Sequence, residues 1–460
     1  MKQILKLSLL ILSILLPASA SAYSFEINGI CYNIGAYYTV SVAFYNGSSG
    51  SVSIPSTVYY DNHIYYVTSI GNNAFSNYSR LTSISIPTSI TSIGSNAFYR
   101  CTGLKEVSIP YSVNSINYSA FEGCTSLKEV IFVGLSSNTT SASSLTIASS
   151  SFSNCPIETL YLSRNLSFSG SNSPFRGMTT LKTLKINSSN SISSISQSAF
   201  YGCSGLTTLS FLTSSYESNF SVSSIGSDAF NGCSKLASIN LPNSIIKIGN
   251  NAFYGTAWYN NKPNGMVYAG LVAYKYKGTM PNGTYLTLLA NTRSIAANAF
   301  YECSGLTSIT IPSSVTEIGE YAFYNVPLEY INCKATTPPN IYSNTFNDFG
   351  ANLSVPYESV TSYQSNTYWK KFTIVFYDFI SGGIYYRINE NNNVSVTCLN
   401  TNYNSYSGEI NIPKTVKNNG VTYNVTAIGD NAFRNSTSLE SVSIPNTVIS
   451  IGNYAFSGCI

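Results

Sequence analysis

Charge and histidine are what this chain has least of. Lys, Arg, Asp and Glu together supply only 9% of its 460 residues, against about 25% in an ordinary soluble domain. Histidine occurs once, at His63. A lone histidine excludes the paired-histidine zinc motifs, and no compact Cys-x-x-Cys pair replaces them. No Gly-rich phosphate loop and no nucleophile elbow is present. No block of like charge appears and the formal charge is only +4, so nothing points to nucleic acid. We therefore expect no catalytic residues, no metal and no cofactor.

Long hydrophobic runs are also missing, with one short exception. Leu7 to Leu16 is apolar apart from Ser8 and Ser13, follows Lys2 and Lys6, and precedes Ala18-Ser19-Ala20 and Ala20-Ser21-Ala22. This is the pattern of an export signal over residues 1–22, and the run is too short to span a bilayer. The next cysteine is Cys31, so a lipid attached at the cut is not expected. Nothing later in the sequence looks transmembrane. The expected location is secreted or on a bacterial cell surface.

In place of charge the chain is rich in Ser, Asn, Thr and Tyr, and in repetition. The pattern Ile-Gly-x-x-Ala-Phe places its Phe at Phe75, Phe98 and Phe121, 23 residues apart. The same interval separates Phe152 from Phe175, Phe230 from Phe253, Phe300 from Phe323, Phe323 from Phe346, and Phe433 from Phe456; Phe200 lies between, with insertions. A fixed period in the twenties is the mark of a solenoid. Within one unit, Leu104, Val107 and Ile109 form a strand with its apolar residues on one side. Pro110 ends that strand because it lacks an N–H, and the proline recurs at Pro55, Pro87, Pro242, Pro312, Pro413 and Pro445. Val113 and Ile116 make a second short stripe. The glycine after that Ile in other copies (Gly71, Gly94, Gly226, Gly249, Gly319) is expected to allow a tight or left-handed bend. Ala120 and Phe121 then turn inward. One such unit cannot bury its own apolar side, whereas stacked units can.

Seven cysteines, Cys101, Cys124, Cys155, Cys203, Cys233, Cys303 and Cys459, sit three residues after an anchor Phe. Other copies place Tyr78, Met178, Thr256, Val326 or Ser436 there. A slot that accepts Cys, Met and Val is small and mostly apolar, so the seven are read as a ladder of buried thiols. The alternative, bridges between neighbouring units, is disfavoured because parallel stacked side chains rarely meet disulfide geometry. Cys31, Cys333 and Cys398 lie off the ladder and receive no assignment.

The variable strand positions remain as a candidate ligand-binding face: Thr82, Ser83, Ser85, Lys105, Glu106, Ser108, Lys128, Glu129, Thr307, Ser308 and Thr310. Lys105–Glu106 and Lys128–Glu129, one period apart, are read as stacked opposite-charge couples on a solvated face, without the shielding a glycosidase carboxyl needs. Tyr99, Tyr201, Tyr254, Tyr301 and Tyr324, each next to an anchor Phe, are candidate exposed aromatics; the plainer reading is that they cover the core edge. Tyr with Ser and Asn suits an adaptable binding surface.

Two modules are expected. Residues 23–69 form an N-terminal cap and residues 70–346 the repeat array, with a hairpin insertion at about 257–290. Residues 347–376 close the module and 377–383 link it to a second. That second module has its own cap over 384–427 and begins an array over 428–460, where the sequence stops mid-pattern; the expectation is either a longer native chain or a truncated gene product. The caps match: GSVSIP and YYVTSIGNNAF return as GEINIP and YNVTAIGDNAF, and His63 aligns with Val421.

The signature Ile-Gly-x-x-Ala-Phe-x-x-Cys-x-x-Leu-x-x-Ile-x-Ile-Pro resembles the BspA-like class of leucine-rich repeats, over residues 50–346 and 408–460. It departs near 135–150 and 212–222. The resemblance implies a leucine-rich-repeat solenoid, mostly short parallel β-strands with brief helical turns. It also implies a surface adhesin that binds host matrix or cell-surface protein. A surface glycan, or service as a spacer for a further domain, are the other readings. The chain is expected to act as a monomer.

Overall fold

The computed structural model describes residues 23–134, 144–170, 172–187, 192–212, 222–389, 391–400, 403–418 and 420–460. The export-signal segment 1–22 and most of both insertions lie outside these residues. The chain divides into two compact units, residues 1–244 with 251–261 and residues 245–250 with 262–460.

In the first unit, strands Phe25–Ile27, Ile30–Ile34 and Thr39–Tyr45 run antiparallel, and the third pairs in parallel with His63–Ile70. From there the short strands Ser92–Ile93, Ser115–Ile116, Leu145–Ala148 and Leu166–Ser169 add one per repeat, all parallel. A second sheet grows beside it from Glu106–Ile109, Glu129–Phe132, Thr159–Leu162, Thr183–Asn187 and Thr208–Leu212, again parallel and in register. Identical spacing makes this register automatic. Val107, Val130, Leu160, Leu184 and Leu209 fall in one row and all point inward.

The anchor phenylalanines form one buried column. From Phe75 through Phe98, Phe121, Phe152, Phe175, Phe200 and Phe230 to Phe253, successive ring centroids lie between 4.9 and 5.9 Å apart with near-parallel planes. In the second unit Phe300, Phe323 and Phe346 repeat the column at 5.2 and 5.0 Å, and Phe433 and Phe456 stack at 5.0 Å. Offset parallel rings at this spacing add to the area they bury.

The segments carrying Ala-Phe are successive hydrogen-bonded turns. Within them Tyr99 N–H donates to Asn96 and Cys101 N–H to Phe98. Between units, Phe98 N–H donates to Ala120 and Arg100 N–H to Glu122, so the inter-unit ladder continues around the bend. The left-handed residues are not the glycines after Ile, which corrects the sequence expectation. They lie two positions before and two after the anchor Phe: Asn73 and Asn77, Asn96 and Arg100, Ser119 and Gly123, Asn298 and Glu302. Asn tolerates this conformation better than other non-glycine residues, which accounts for its abundance here. The glycines serve close approach instead. A Cβ on Gly94 would sit 2.7 Å from the backbone nitrogen of Asn72, and one on Gly319 2.5 Å from that of Ala297.

Among the described residues, regular α-helix is confined to the short pieces Ala257–Asn260 and Val360–Ser365. The first is capped by the Thr256 hydroxyl, which accepts from Tyr259 N–H at 3.1 Å. Gly265–Ala269 and Val272–Lys277 form an antiparallel hairpin, whose second strand pairs in parallel with Ser294–Ile295. Among the described residues no helix is long and apolar enough to cross a membrane.

Candidate functional site

The outward side of the second sheet of the first unit displays polar side chains in ordered rows. One row runs Glu106, Glu129, Thr159, Thr183, Thr208 and the next runs Ser108, Ile131, Tyr161, Lys185, Ser210, held by the parallel register. A third row precedes them. Lys128 N–H donates to Lys105, Glu158 to Lys128, Lys182 to Glu158 and Thr207 to Lys182, so these five side chains rise in sequence.

The charge pairing on this face differs from the stacked couples read from the sequence. Lys128 does not lean on Glu129. It reaches the next unit, where its Nζ is 2.9 Å from Glu158, and Lys182 approaches the same carboxylate at 2.6 Å from the other side. Glu106 and Glu129 lie directly opposite each other in register, and like charges so placed repel. The Lys182 hydrogen bond, then that from Lys128, hold the Glu158 carboxyl at about 2, well below its ordinary value. Both lysines are largely exposed, so the triad adds little stability; it fixes a charge pattern. One row away, Lys185 Nζ sits 4.7 Å from the Tyr161 ring centroid and donates to the Tyr161 hydroxyl at 3.0 Å. Glu158, Tyr161, Lys182 and Lys185 fall outside the residues expected from the sequence, because the strands IETLYL and LKTLKI carry no Lys-Glu dipeptide. Applying the strand register of 104–109 to 157–162 and 181–186 would have found all four.

Thr82, Ser85, Lys105, Glu106, Ser108 and Lys128 are exposed or nearly so, whereas Ser83, Glu129, Thr307 and Ser308 are half-buried. Thr310 departs from the expected solvent-facing row: it is buried, because the Tyr285 hydroxyl folds over it at 2.7 Å. Residues 82–129 belong to the first unit and 307–310 to the second, and each set is a face of its own unit. Of the tyrosines, Tyr254 and Tyr301 are exposed and Tyr99, Tyr201 and Tyr324 half-buried. Tyr301 and Tyr324 stack at 5.8 Å, repeating outside the core what Phe300 and Phe323 do within it. Arg176 lies 3.9 Å over the Tyr201 ring.

All ten cysteines are unpaired. The slot after the anchor Phe has a specific bonding role that composition did not reveal. The Cys101 thiol donates to the Phe75 carbonyl of the preceding unit at 3.1 Å, and Cys124 to Phe98, Cys155 to Phe121, Cys203 to Phe175 and Cys233 to Phe200 at 3.0–3.2 Å. Burial pushes Cys101 and Cys203 up to about 12. The hydrogen bond between Cys124 and Cys155, followed by burial, raises Cys124 as well. Cys303 and Cys459 are only half-buried, which corrects their place in a fully buried ladder. The hairpin 265–277 stands where Cys303 would have a preceding anchor Phe, and Lys275 lies near its sulfur instead. Cys459, in the last turn, still donates to Phe433 at 3.0 Å. Cys333 meets the Tyr363 hydroxyl at 3.2 Å in the closing segment of the array.

His63 is exposed, its ring stacked on Tyr38 at 5.3 Å and its Nδ1 2.6 Å from the Asp61 carbonyl. In the second unit a cleft of about 360 Å³ is lined by Asn332, Lys334, Glu358, Asp378 and Arg387. Its buried carboxylate is already engaged: Asp378 accepts from Asn332 at 2.9 Å, from Tyr330 at 3.3 Å and from the Ile388 N–H at 2.6 Å.

Short parallel strands added one per repeat, with columns of stacked phenylalanine inside, define a leucine-rich-repeat solenoid. The chain belongs to the BspA type leucine rich repeat family, whose pattern matches residues 38–165, 133–220, 212–262, 272–389 and 403–460. Solved structures with a similar fold include a leucine-rich repeat protein from Bacteroides ovatus (22% identity, 95% of this chain and 93% of that one, TM-score 0.38). Another is a leucine rich cell surface protein from Faecalibacterium prausnitzii (22% identity, 96% and 94%, TM-score 0.32). A third is the pneumococcal vaccine antigen PcpA (19% identity, 77% and 98%, TM-score 0.27). A search of curated proteins gives no match.

Proposed function

We propose that this protein is an exported, non-catalytic binding protein of the bacterial cell surface. It recognises a host matrix or cell-surface protein through the outward face of the sheet Glu106–Leu212. The observation that carries this reading is the division of labour within each repeat. In most repeats the anchor Phe and the slot after it are buried, and the outward strand positions vary in chemistry without touching the core. Membership of the BspA-type family supports the same reading. On that face the Lys128–Glu158–Lys182 triad and the Lys185–Tyr161 pair supply oriented charge beside an aromatic ring. Such a combination is suited to selecting a partner by complementary potential.

The test uses purified residues 23–460 immobilised and probed with collagen, laminin and other matrix proteins at two salt concentrations. Saturable, salt-weakened binding that drops at least about tenfold in Lys128→Ala/Lys182→Ala supports the reading. Binding that ignores both salt and these substitutions would remove this face from consideration.

A further inference from the structure

The two caps offer an internal comparison that isolates one surface. In the first, the edge strand Thr57–Tyr60 pairs antiparallel with His63–Ile70, which pairs in parallel with Thr39–Tyr45. In the second, Thr415–Asn418, Val421–Ile428 and Asn393–Thr397 repeat that pairing residue for residue. Thr39↔Tyr66 corresponds to Asn393↔Asn424, and Tyr59↔Ile64 to Lys417↔Thr422. The backbones even share the same left-handed pair before the third strand: Tyr37 and Tyr38 at φ 53° and 56°, Asn391 and Asn392 at 57° and 55°.

The side chains do not correspond. The second cap uses Asn in its left-handed pair, the residue that conformation favours, and polar Lys417, Thr422 and Asn424 on its outer face. The first cap uses tyrosine at both left-handed positions, and Tyr59, Ile64 and Tyr66 on the same outer face. There Tyr37, Tyr59, Ile64 and Tyr66 are 94%, 64%, 59% and 57% exposed. The second cap shows that the fold does not need these rings. The first accepts the strain of left-handed tyrosine and the cost of uncovered aromatic surface. Exposed apolar area kept where an identical backbone elsewhere in the chain carries polar residues points to a binding surface.

The chemistry of this surface narrows the occupant. Around Tyr59, Ile64 and Tyr66 the neighbours on the ladder are Thr39, Thr57 and Thr68, hydroxyl residues with no charge. A neutral, polyhydroxylated partner matches that. The C–H face of a pyranose ring packs on an exposed tyrosine, and its hydroxyls find threonine and tyrosine oxygens without having to desolvate a charge. We propose that the N-terminal cap is a binding site for a neutral glycan chain, separate from the charged sheet face. It rests on the reading of the chain as a binding protein and not on the sheet face being its site.

The test is affinity electrophoresis of residues 23–460 through gels holding hydroxyethylcellulose, laminarin, α-mannan or galactomannan, with heparin as the charged comparison. The variant Tyr59→Lys/Ile64→Thr/Tyr66→Asn installs residues the second cap already folds with, and its unfolding midpoint controls for structure. Retardation by at least one neutral polysaccharide is expected, at least about tenfold weaker in this variant and unchanged in Lys128→Ala/Lys182→Ala. No retardation in any neutral gel, retardation by heparin alone, or equal retardation of the cap variant would overturn the proposal. Glycan retention by an unmodified protein that binds no matrix protein would support the cap site and count against the sheet face.

Discussion

At the scale of the residue, the anchor Phe and the cysteine that follows it carry the fold. Phe121 is fully buried between Phe98 and Phe152, so Phe121→Ala should cost about 3–5 kcal/mol, read from the shift of a denaturant midpoint. The thiols make a separate prediction. Their folded values are raised, to about 12 at Cys101 and Cys203, from an ordinary value of 9.0. Below pH 9 both states keep these protons and the contribution is fully present. As pH rises past 9 the unfolded chain releases protons that the folded one holds, so stability falls towards pH 12. Midpoints measured between pH 7 and 10.5 should decline, and a rising midpoint would contradict the buried thiols. Alkylation of the folded protein should reach Cys303 and Cys459 first, since only these two are half-exposed.

At the scale of the element, the strand and the turn were legible to different degrees. The Leu-x-x-Val-x-Ile strand could be read directly, because alternation of apolar residues and a terminal proline both report on one local geometry. The turn could not. Its left-handed sites at Asn73, Asn96 and Asn298 look in sequence like any polar loop position, and the neighbouring glycine is the more obvious turn residue. The distinction is testable. Asn96→Val should destabilise by about 1–2 kcal/mol, whereas Asn96→Gly should leave the midpoint nearly unchanged. Gly94→Ala should destabilise, through collision with the Asn72 backbone. The Glu158 ion pairs were illegible for another reason. They join residues 30 and 24 positions apart, and an inserted segment breaks the period between Phe121 and Phe152. Arg164 belongs to the same class: it is buried with its guanidinium donating to the Tyr111 and Val113 carbonyls at 2.8 and 2.7 Å, a contact no periodicity announces.

At the scale of the molecule, each repeat spends its Phe and its inward strand residues on a core that the next repeat extends, and leaves its outer strand positions free to vary. Family and fold were visible from the repeat alone, because a 23-residue period leaves few other architectures. The proposed binding face was visible only in part, since one sequence shows which positions are free but not which of them contact one another. The structure adds those contacts, at Lys128, Glu158 and Lys182 and at Tyr161 and Lys185. The most direct measurement is therefore the affinity of residues 23–460 for whichever matrix protein they retain, compared with Lys128→Glu/Lys182→Glu. The variant should fold with a slightly lowered midpoint, because three carboxylates then meet at Glu158, and lose at least about tenfold in affinity, with a weaker salt dependence. Full affinity in the variant would contradict the claim that this sheet face is where the protein binds.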